Sequence, residues 1–311
     1  MRRLAALSLL VLATAGCGAG AGESPTDVKL TVTEDFGTTS LFDRPADVKA
    51  DDTVMRLLQR NTKVETKYGG GFVQSIDGKA GGRENGAPYD WFFFVNGILA
   101  DKGSASEKVH PGARIWWDRH DWTATNRTAA VVGSYPEPFL NGYDGERLAT
   151  RLECDDDAEK ACDAIADKLA KLGVVAGRSR IGTEKGEKSV RILVGTWPKV
   201  RGDLAAEQLE EGPQVSGVYA KPSKDGKTIA ALDPKGRTVR ELGAGVGLIA
   251  ATRWREEDPV WVVTGTDAAG VETAATQAFD ESVLNEKFAL AVEDGLPVSL
   301  PVLPRRGADG S

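Results

Sequence analysis

The sequence predicts an α+β protein of two folded units, an N-terminal β-grasp domain over residues 27–123 and an α/β domain with a mixed sheet over residues 128–304. Three observations lead there. At 311 residues the chain exceeds what one hydrophobic core usually organises. Its first part runs strand, strand, helix and then several short strands, an order that suits a sheet wrapped around one helix. After a polar stretch from Thr123 to Thr128, strands and helices alternate instead.

In the first unit Val28, Leu30 and Val32 alternate with Lys29, Thr31 and Thr33, which describes a strand with one buried face. Phe36 to Phe42 reads as a turn into a second strand. Asp51 and Asp52 precede the run Thr53 to Arg60, where Val54, Leu57 and Leu58 share a helical face and the acidic pair complements the helix N-terminus. Gly69 to Gly71 introduce a strand from Phe72 to Ile76 that Asp77-Gly78 turns back. Backbone freedom at a bend explains this glycine run better than a phosphate cradle, since no Walker-type lysine arrangement follows. The strand Trp91 to Val95 ends at Asn96-Gly97, the strongest short hairpin signal, and Pro111-Gly112 opens the strand Ala113 to Asp118.

The stretch from Gly69 to Trp122 concentrates the aromatic residues. Alternation along a strand puts Trp91, Phe93 and Val95 on one face and Phe92 and Phe94 on the other, and it separates Trp116 from Trp117 in the same way. One set closes the core; the other needs a cover, either the second unit or a ligand. The residues that would serve a ligand are Phe72, Trp91, Phe93, Asn96 and Trp117, although Asn96-Gly97 also has the composition of a plain tight turn. His120, beside Arg119 and Asp121, takes a structural or solvent-facing role: two histidines in the chain support neither a His-based triad nor a multi-histidine metal site. No catalytic or metal-ligating residue is assigned.

The succession Phe72-Val73-x-Ser75-Ile76-x-Gly78, Trp91-x-Phe93-Phe94-Val95-Asn96-Gly97 and Pro111-Gly112-x-x-Ile115-x-Trp117 resembles the transcobalamin C-terminal-like β-grasp domain of bacterial surface lipoproteins. The resemblance implies the β-grasp fold. In animal vitamin B12 carriers the corresponding domain closes over a corrinoid delivered by a helical barrel that this chain lacks, so cobalamin enters as an alternative ligand only.

In the second unit Ala129 to Gly133 is apolar and β-rich. A strand over Leu148 to Cys154 leads to a helix from Ala158 to Leu172, with Cys162, Ile165, Ala166, Leu169 and Leu172 on one face. Val190 to Val194 is a strand and Leu204 to Leu209 a helix. Val218 to Ala220, Thr228 to Leu232 and Arg237 to Leu242 form a meander with turns at Asp225-Gly226 and Pro234 to Gly236. Trp261 to Gly265 is a strand, Ala268 to Phe279 a helix, and Ala289 to Val292 with Val298 to Leu300 a closing strand pair. Gly243 to Gly247 lacks the third spaced glycine of a dinucleotide fingerprint and reads as the opening of a helix. A strand, Gly, hydroxyl order recurs at Ser134, Thr196 and Thr266, which admits an enzyme site at the strand ends; a duplicated structural unit explains it as well.

Residues 1–26 read as a signal peptide and tether. Arg2 and Arg3 precede the apolar run Leu4 to Ala13, which is too short to span a bilayer, and Thr14-Ala15-Gly16-Cys17 resembles a bacterial lipobox with Cys17 as the lipidated residue. Gly18 to Pro25 is a flexible tether. With Cys17 lipidated, the other two of the three cysteines, Cys154 and Cys162, are left to pair. Residues 305–311 read as a disordered tail. The net charge of -7 disfavours a nucleic acid partner, and the bacterial lipobox sets aside the Asn126-Arg127-Thr128 glycosylation motif. The expected protein is an exported, non-enzymatic lipoprotein on the outer face of the cytoplasmic membrane. It would act as a binding or scaffold module for a small molecule or a surface protein.

Overall fold

A computed structural model describes residues 23–183 and 188–304. Cys17 and the tail 305–311 therefore lie outside the described residues. In the first unit the elements are β1 Lys29–Glu34, β2 Thr39–Pro45, α1 Val54–Asn61, β3 Val64–Lys67, β4 Phe72–Ile76, β5 Lys79–Ala80, β6 Gly82–Glu84, β7 Ala87–Val95, β8 Ile98–Leu99 and β9 Arg114–Asp121. The main sheet runs β2-β1-β9-β7-β6, with β8 turning back on β7, and a small sheet β3-β4-β5 stands beside it. β1 and β9 are parallel and every other pair in the main sheet is antiparallel.

The helix begins at Thr53, whose hydroxyl accepts from the Arg56 amide, while Asp52 pairs with Arg60 at 2.9 Å rather than capping the helix. Val54, Met55, Leu57 and Leu58 pack against Leu30, Val32, Trp91, Val95, Ile115 and Trp117. The sheet thus grips one helix, as the element order predicts.

The second unit contains β10 Ala149–Cys154, α2 Glu159–Lys171, β11 Ala176–Arg180, β12 Ser189–Thr196, α3 Trp197–Val200, α4 Leu204–Glu207, α5 Pro213–Ser216, β13 Ala220–Pro222, β14 Ile229–Leu232, β15 Thr238–Leu242, β16 Gly247–Thr252, β17 Val260–Gly265, α6 Ala268–Thr273, α7 Glu281–Leu284, β18 Ala289–Glu293 and β19 Leu296–Leu300. The sheet order is β11-β10-β12-β17-β16-β18-β19, parallel through β17 and antiparallel beyond it. β13 to β15 form the expected meander. Cys154 and Cys162 are bonded, tying the end of β10 to α2.

Two elements differ from expectation. Ala129 to Gly133 joins no strand of the second sheet; it threads between the units as an extended crossing. Ala130 bridges to Ile98, the Val131 amide donates to Gly97 at 2.8 Å, and the Val132 amide donates to Phe288 at 3.2 Å. A short apolar run bonded alternately to two neighbours has no continuous ladder to join. Gly243 to Gly247 opens a strand, β16, rather than a helix. The reason is close packing: a Cβ on Gly247 would lie 2.3 Å from the Gly270 carbonyl oxygen, so only glycine lets α6 approach the strand this closely.

The two sheet faces of the second unit carry separate cores. One packs on α2 and α6. The other continues through α3, α4 and the meander into Phe36, Phe94 and Trp116 of the first unit, one shared core for both. Replacing Phe288, at the centre of that junction, by alanine is expected to cost about 3–5 kcal/mol. Urea unfolding followed by tryptophan fluorescence and by far-ultraviolet dichroism should show both units melting in one transition, shifted to lower denaturant; two separated transitions in the parent protein would contradict a shared core.

Candidate functional site

The β7 to β9 register sets Phe93 opposite Trp117 and Phe94 opposite Trp116, which resolves the two aromatic faces. Trp91, Phe93 and Trp117 turn toward α1. Phe93 stacks on Trp117 with ring centres 4.8 Å apart, and the Trp91 indole donates to the Lys79 carbonyl at 2.9 Å. Phe94 and Trp116 face the second unit, where the Phe288 ring lies 5.6 and 5.3 Å from them and 5.0 and 5.2 Å from Phe36 and His120. The cover for the second face is protein.

The five residues expected to serve a ligand do not form one surface. Trp91 and Trp117 are buried and Phe93 is half-buried on the α1 side. Asn96 is buried at the hairpin turn with both ends of its amide engaged: its Nδ2 donates to the Gly142 carbonyl at 2.5 Å and its Oδ1 accepts from the Arg114 amide at 2.8 Å. Phe72, 40% exposed, stands in the separate β3-β4-β5 sheet with Tyr68 as its ring neighbour. Alternation sorts residues by face; it does not reveal which face the helix occupies.

Nor do Ser134, Thr196 and Thr266 converge. Thr196 and Gly265 pair at the carboxyl ends of β12 and β17. Ser134 follows Gly133, which abuts Lys287, and the β16-β18 register places that side near the opposite ends of the parallel strands.

Several cavities mark the surface, and two of them are set apart, one by its size and one by walls drawn from both units. The larger, about 490 Å³, is an open depression at the ends of β10 and β11 beside the disulfide, lined by Cys154, Asp155, Asp156, Glu159, Arg178, Ser179 and Arg180. Its cations are already matched: Arg178 with Asp163 at 2.5 Å, Arg180 with Asp156 at 3.1 Å, and nearby Lys199 with Asp155 at 3.2 Å. The smaller, about 220 Å³, is the cleft the two units leave beside the β7-β8 hairpin. Size favours the first; the second is less open and draws its walls from both units, and this favours it, because a ligand is better desolvated between facing walls.

Val95, Ile98 and Leu99 give the cleft an apolar side, and Asp101, Lys102 and Glu107 come from the loop after β8. Tyr143, Asp144, Arg253 and Asp258 come from the second unit. The Tyr143 hydroxyl donates to Asp258 at 2.7 Å, Arg253 reaches Asp101 at 3.2 Å, and Lys102 pairs with Asp144 at 2.7 Å across the rim. Burial and then the Asp258 bond push the Tyr143 phenol well above its usual range. Glu107 is 6% exposed. Its carbonyl accepts from the Val54 amide at the start of α1, but its carboxylate has no hydrogen-bond or ion-pair partner among the described residues. Burial raises its pKa; Lys102 opposes this, and Asp144 and Asp101 add to it. Nothing in the sequence around Glu107 announced this, because the opposing wall is assembled from distant segments, Arg253 lying 152 residues from the Asp101 it meets.

Among the described residues no group of three or more His, Cys, Asp or Glu is arranged to hold a metal ion, and no helix is long and apolar enough to cross a membrane. A family model described as a domain of unknown function, DUF4430, matches residues 51–121, from the residues before α1 to the end of β9. Among solved structures the chain is similar to one described as a "putative metal binding protein" from Ruminococcus gnavus. That likeness has 15% identity and a TM-score of 0.25, over 32% of this chain and 98% of that one. No curated protein matches the sequence.

The Glu107 carboxyl is a group whose folded pKa lies above its unfolded one, so the folded state holds the proton more tightly. Its charge therefore opposes folding, increasingly as pH rises from the ordinary carboxyl range through the folded value. Glu107→Gln is expected to raise the urea midpoint at neutral pH, with the gain shrinking as the solution is acidified through that window. Equal gains at neutral and acid pH would contradict a buried, unmatched charge.

Proposed function

We propose that this protein is an exported, lipid-anchored and non-enzymatic binding module that holds a small ligand in the cleft between its two units. The observation that carries the reading is the cleft itself, a half-open space with an apolar wall, a few convergent polar groups and one carboxylate that has no partner among the described residues. The ordered transcobalamin-like motifs and the DUF4430 match fall on the same strands and support a common origin for the first unit. The corrinoid alternative gains no observation, because both aromatic faces are covered by protein, Trp91 and Trp117 by α1 and Phe94 and Trp116 by Phe288. A strand-end enzyme gains none either, since Ser134 lies toward the opposite end of the sheet from Thr196 and Thr266.

The anchor is supported by the order of charged residues, apolar run and small residues before Cys17. In a native host the protein is expected in the membrane fraction, and Cys17→Ser should leave the chain unprocessed by lipoprotein maturation and free of lipid by mass spectrometry. A parent protein recovered without lipid would sink the anchor. Mass spectrometry of small molecules released from the native protein by denaturation tests the binding role; the expected result is one enriched compound, absent when residues of the cleft are altered.

A further inference from the structure

We infer that the cleft takes a small organic cation, an alkylammonium group whose charge faces Glu107 and whose carbon stem lies against Val95, Ile98 and Leu99. This rests on the binding reading above and names its ligand class. The argument is one of charge matching. Each cation the protein itself brings to the cleft is committed elsewhere. Lys102 is held at the exposed rim by Asp144 at 2.7 Å, Arg253 by Asp101 at 3.2 Å and by the Glu257 carbonyl at 2.9 Å, and Lys188 lies 3.7 Å from Glu146. Asp258 is likewise satisfied, by the Tyr143 hydroxyl and the Ser189 amide. Glu107 alone is left, a residue 6% exposed that has no hydrogen-bond or ion-pair partner among the described residues and lines the cleft. A carboxylate partly stripped of water and without a protein partner attracts a cation, which replaces the water it has lost.

The wall chemistry selects the kind of cation. A bare metal ion needs a shell of several oxygens, and no three carboxylates in the described residues converge to supply one. A cavity of about 220 Å³ with Val95 and Ile98 buried along one side instead fits an ammonium group carrying a short aliphatic stem.

The test uses the full mature chain at constant ionic strength, titrated with n-butylammonium chloride, 1-butanol or calcium chloride, and followed by methyl NMR signals of Ile98 and Leu99. Butylammonium is expected to shift both signals saturably, butanol to bind far more weakly, and Glu107→Gln to weaken butylammonium by about tenfold or more. Removal of the charge is expected to leave the fold intact, and the variant's own spectrum checks this. Equal binding of butanol, tighter binding of calcium, or an unchanged affinity in Glu107→Gln would overturn the inference. A neutral or anionic compound recovered from the cleft of the native protein would overturn it while leaving the binding module standing. Glu107-dependent butylammonium binding with no native small molecule would fail the module reading alone.

Discussion

A sheet that carries large rings on both faces has to be covered twice, and the first unit owns only one helix to do it. α1 covers Trp91 and Trp117. Phe94 and Trp116 on the other face are left to the second unit, which supplies Phe288, with ring centres within 5.6 Å of Phe36, Phe94, Trp116 and His120. Burying each such side chain stabilises by about 1.5–3 kcal/mol, so several together outweigh the freedom lost when two units dock. Backbone must come close for this to happen. A Cβ on Gly37 would lie 1.9 Å from the Glu286 carbonyl oxygen and one on Gly133 2.5 Å from the Lys287 nitrogen. Glycine at these two places lets the segment before β18 reach the rings.

The same junction contains a buried carboxylate, and its treatment contrasts with that of Glu107. Asp118 is fully buried, yet it accepts from the Thr33 hydroxyl and from the amides of Phe36 at 3.1 Å and Gly37 at 2.9 Å, and it meets His120 Nδ1 at 2.7 Å. The Trp116 indole in turn donates to Thr33 at 2.8 Å. These bonds hold the turn between β1 and β2 so that Phe36 is presented to Phe288, and they leave His120 flanked by Phe36 and Phe92 with ring centres 4.5 and 4.6 Å away. A charge satisfied this thoroughly serves architecture. Glu107 is less deeply enclosed, at 6% exposed, but has none of these partners, which is why it reads as a place prepared for something else.

Docking through one patch of rings also explains where the cleft lies. The close contact is centred on Phe288, and the hairpin of β7 and β8 projects past it; Asn96 fastens the hairpin to Gly142, and Ala130 bridges to Ile98. Beyond those ties the loop from Asp101 to Glu107 faces Tyr143 and Arg253 across a gap. The gap is thus left where the shared core ends, at the edge of the junction between the two units, a common setting for ligand sites.

Much of the fold was legible from local patterns. Periodicity and turn residues located β1, β2, β4, β7 and β9, the helix α2, the meander and the Cys154–Cys162 pair, because each depends on neighbours a few residues apart, whereas the short strands β3, β5, β6 and β8 went unread. Alternation likewise sorted the rings onto two faces. The tertiary structure alone decided that protein covers the second face, that Ala129 to Gly133 crosses between the units, and that Gly247 begins a strand where α6 comes close. It alone assembled the cleft, whose walls combine Glu107 with Tyr143 and Arg253. The physical reason is range: a residue's face and turn are set by its neighbours in the chain, whereas burial and the lack of a partner for Glu107 are set by which distant segments arrive around it.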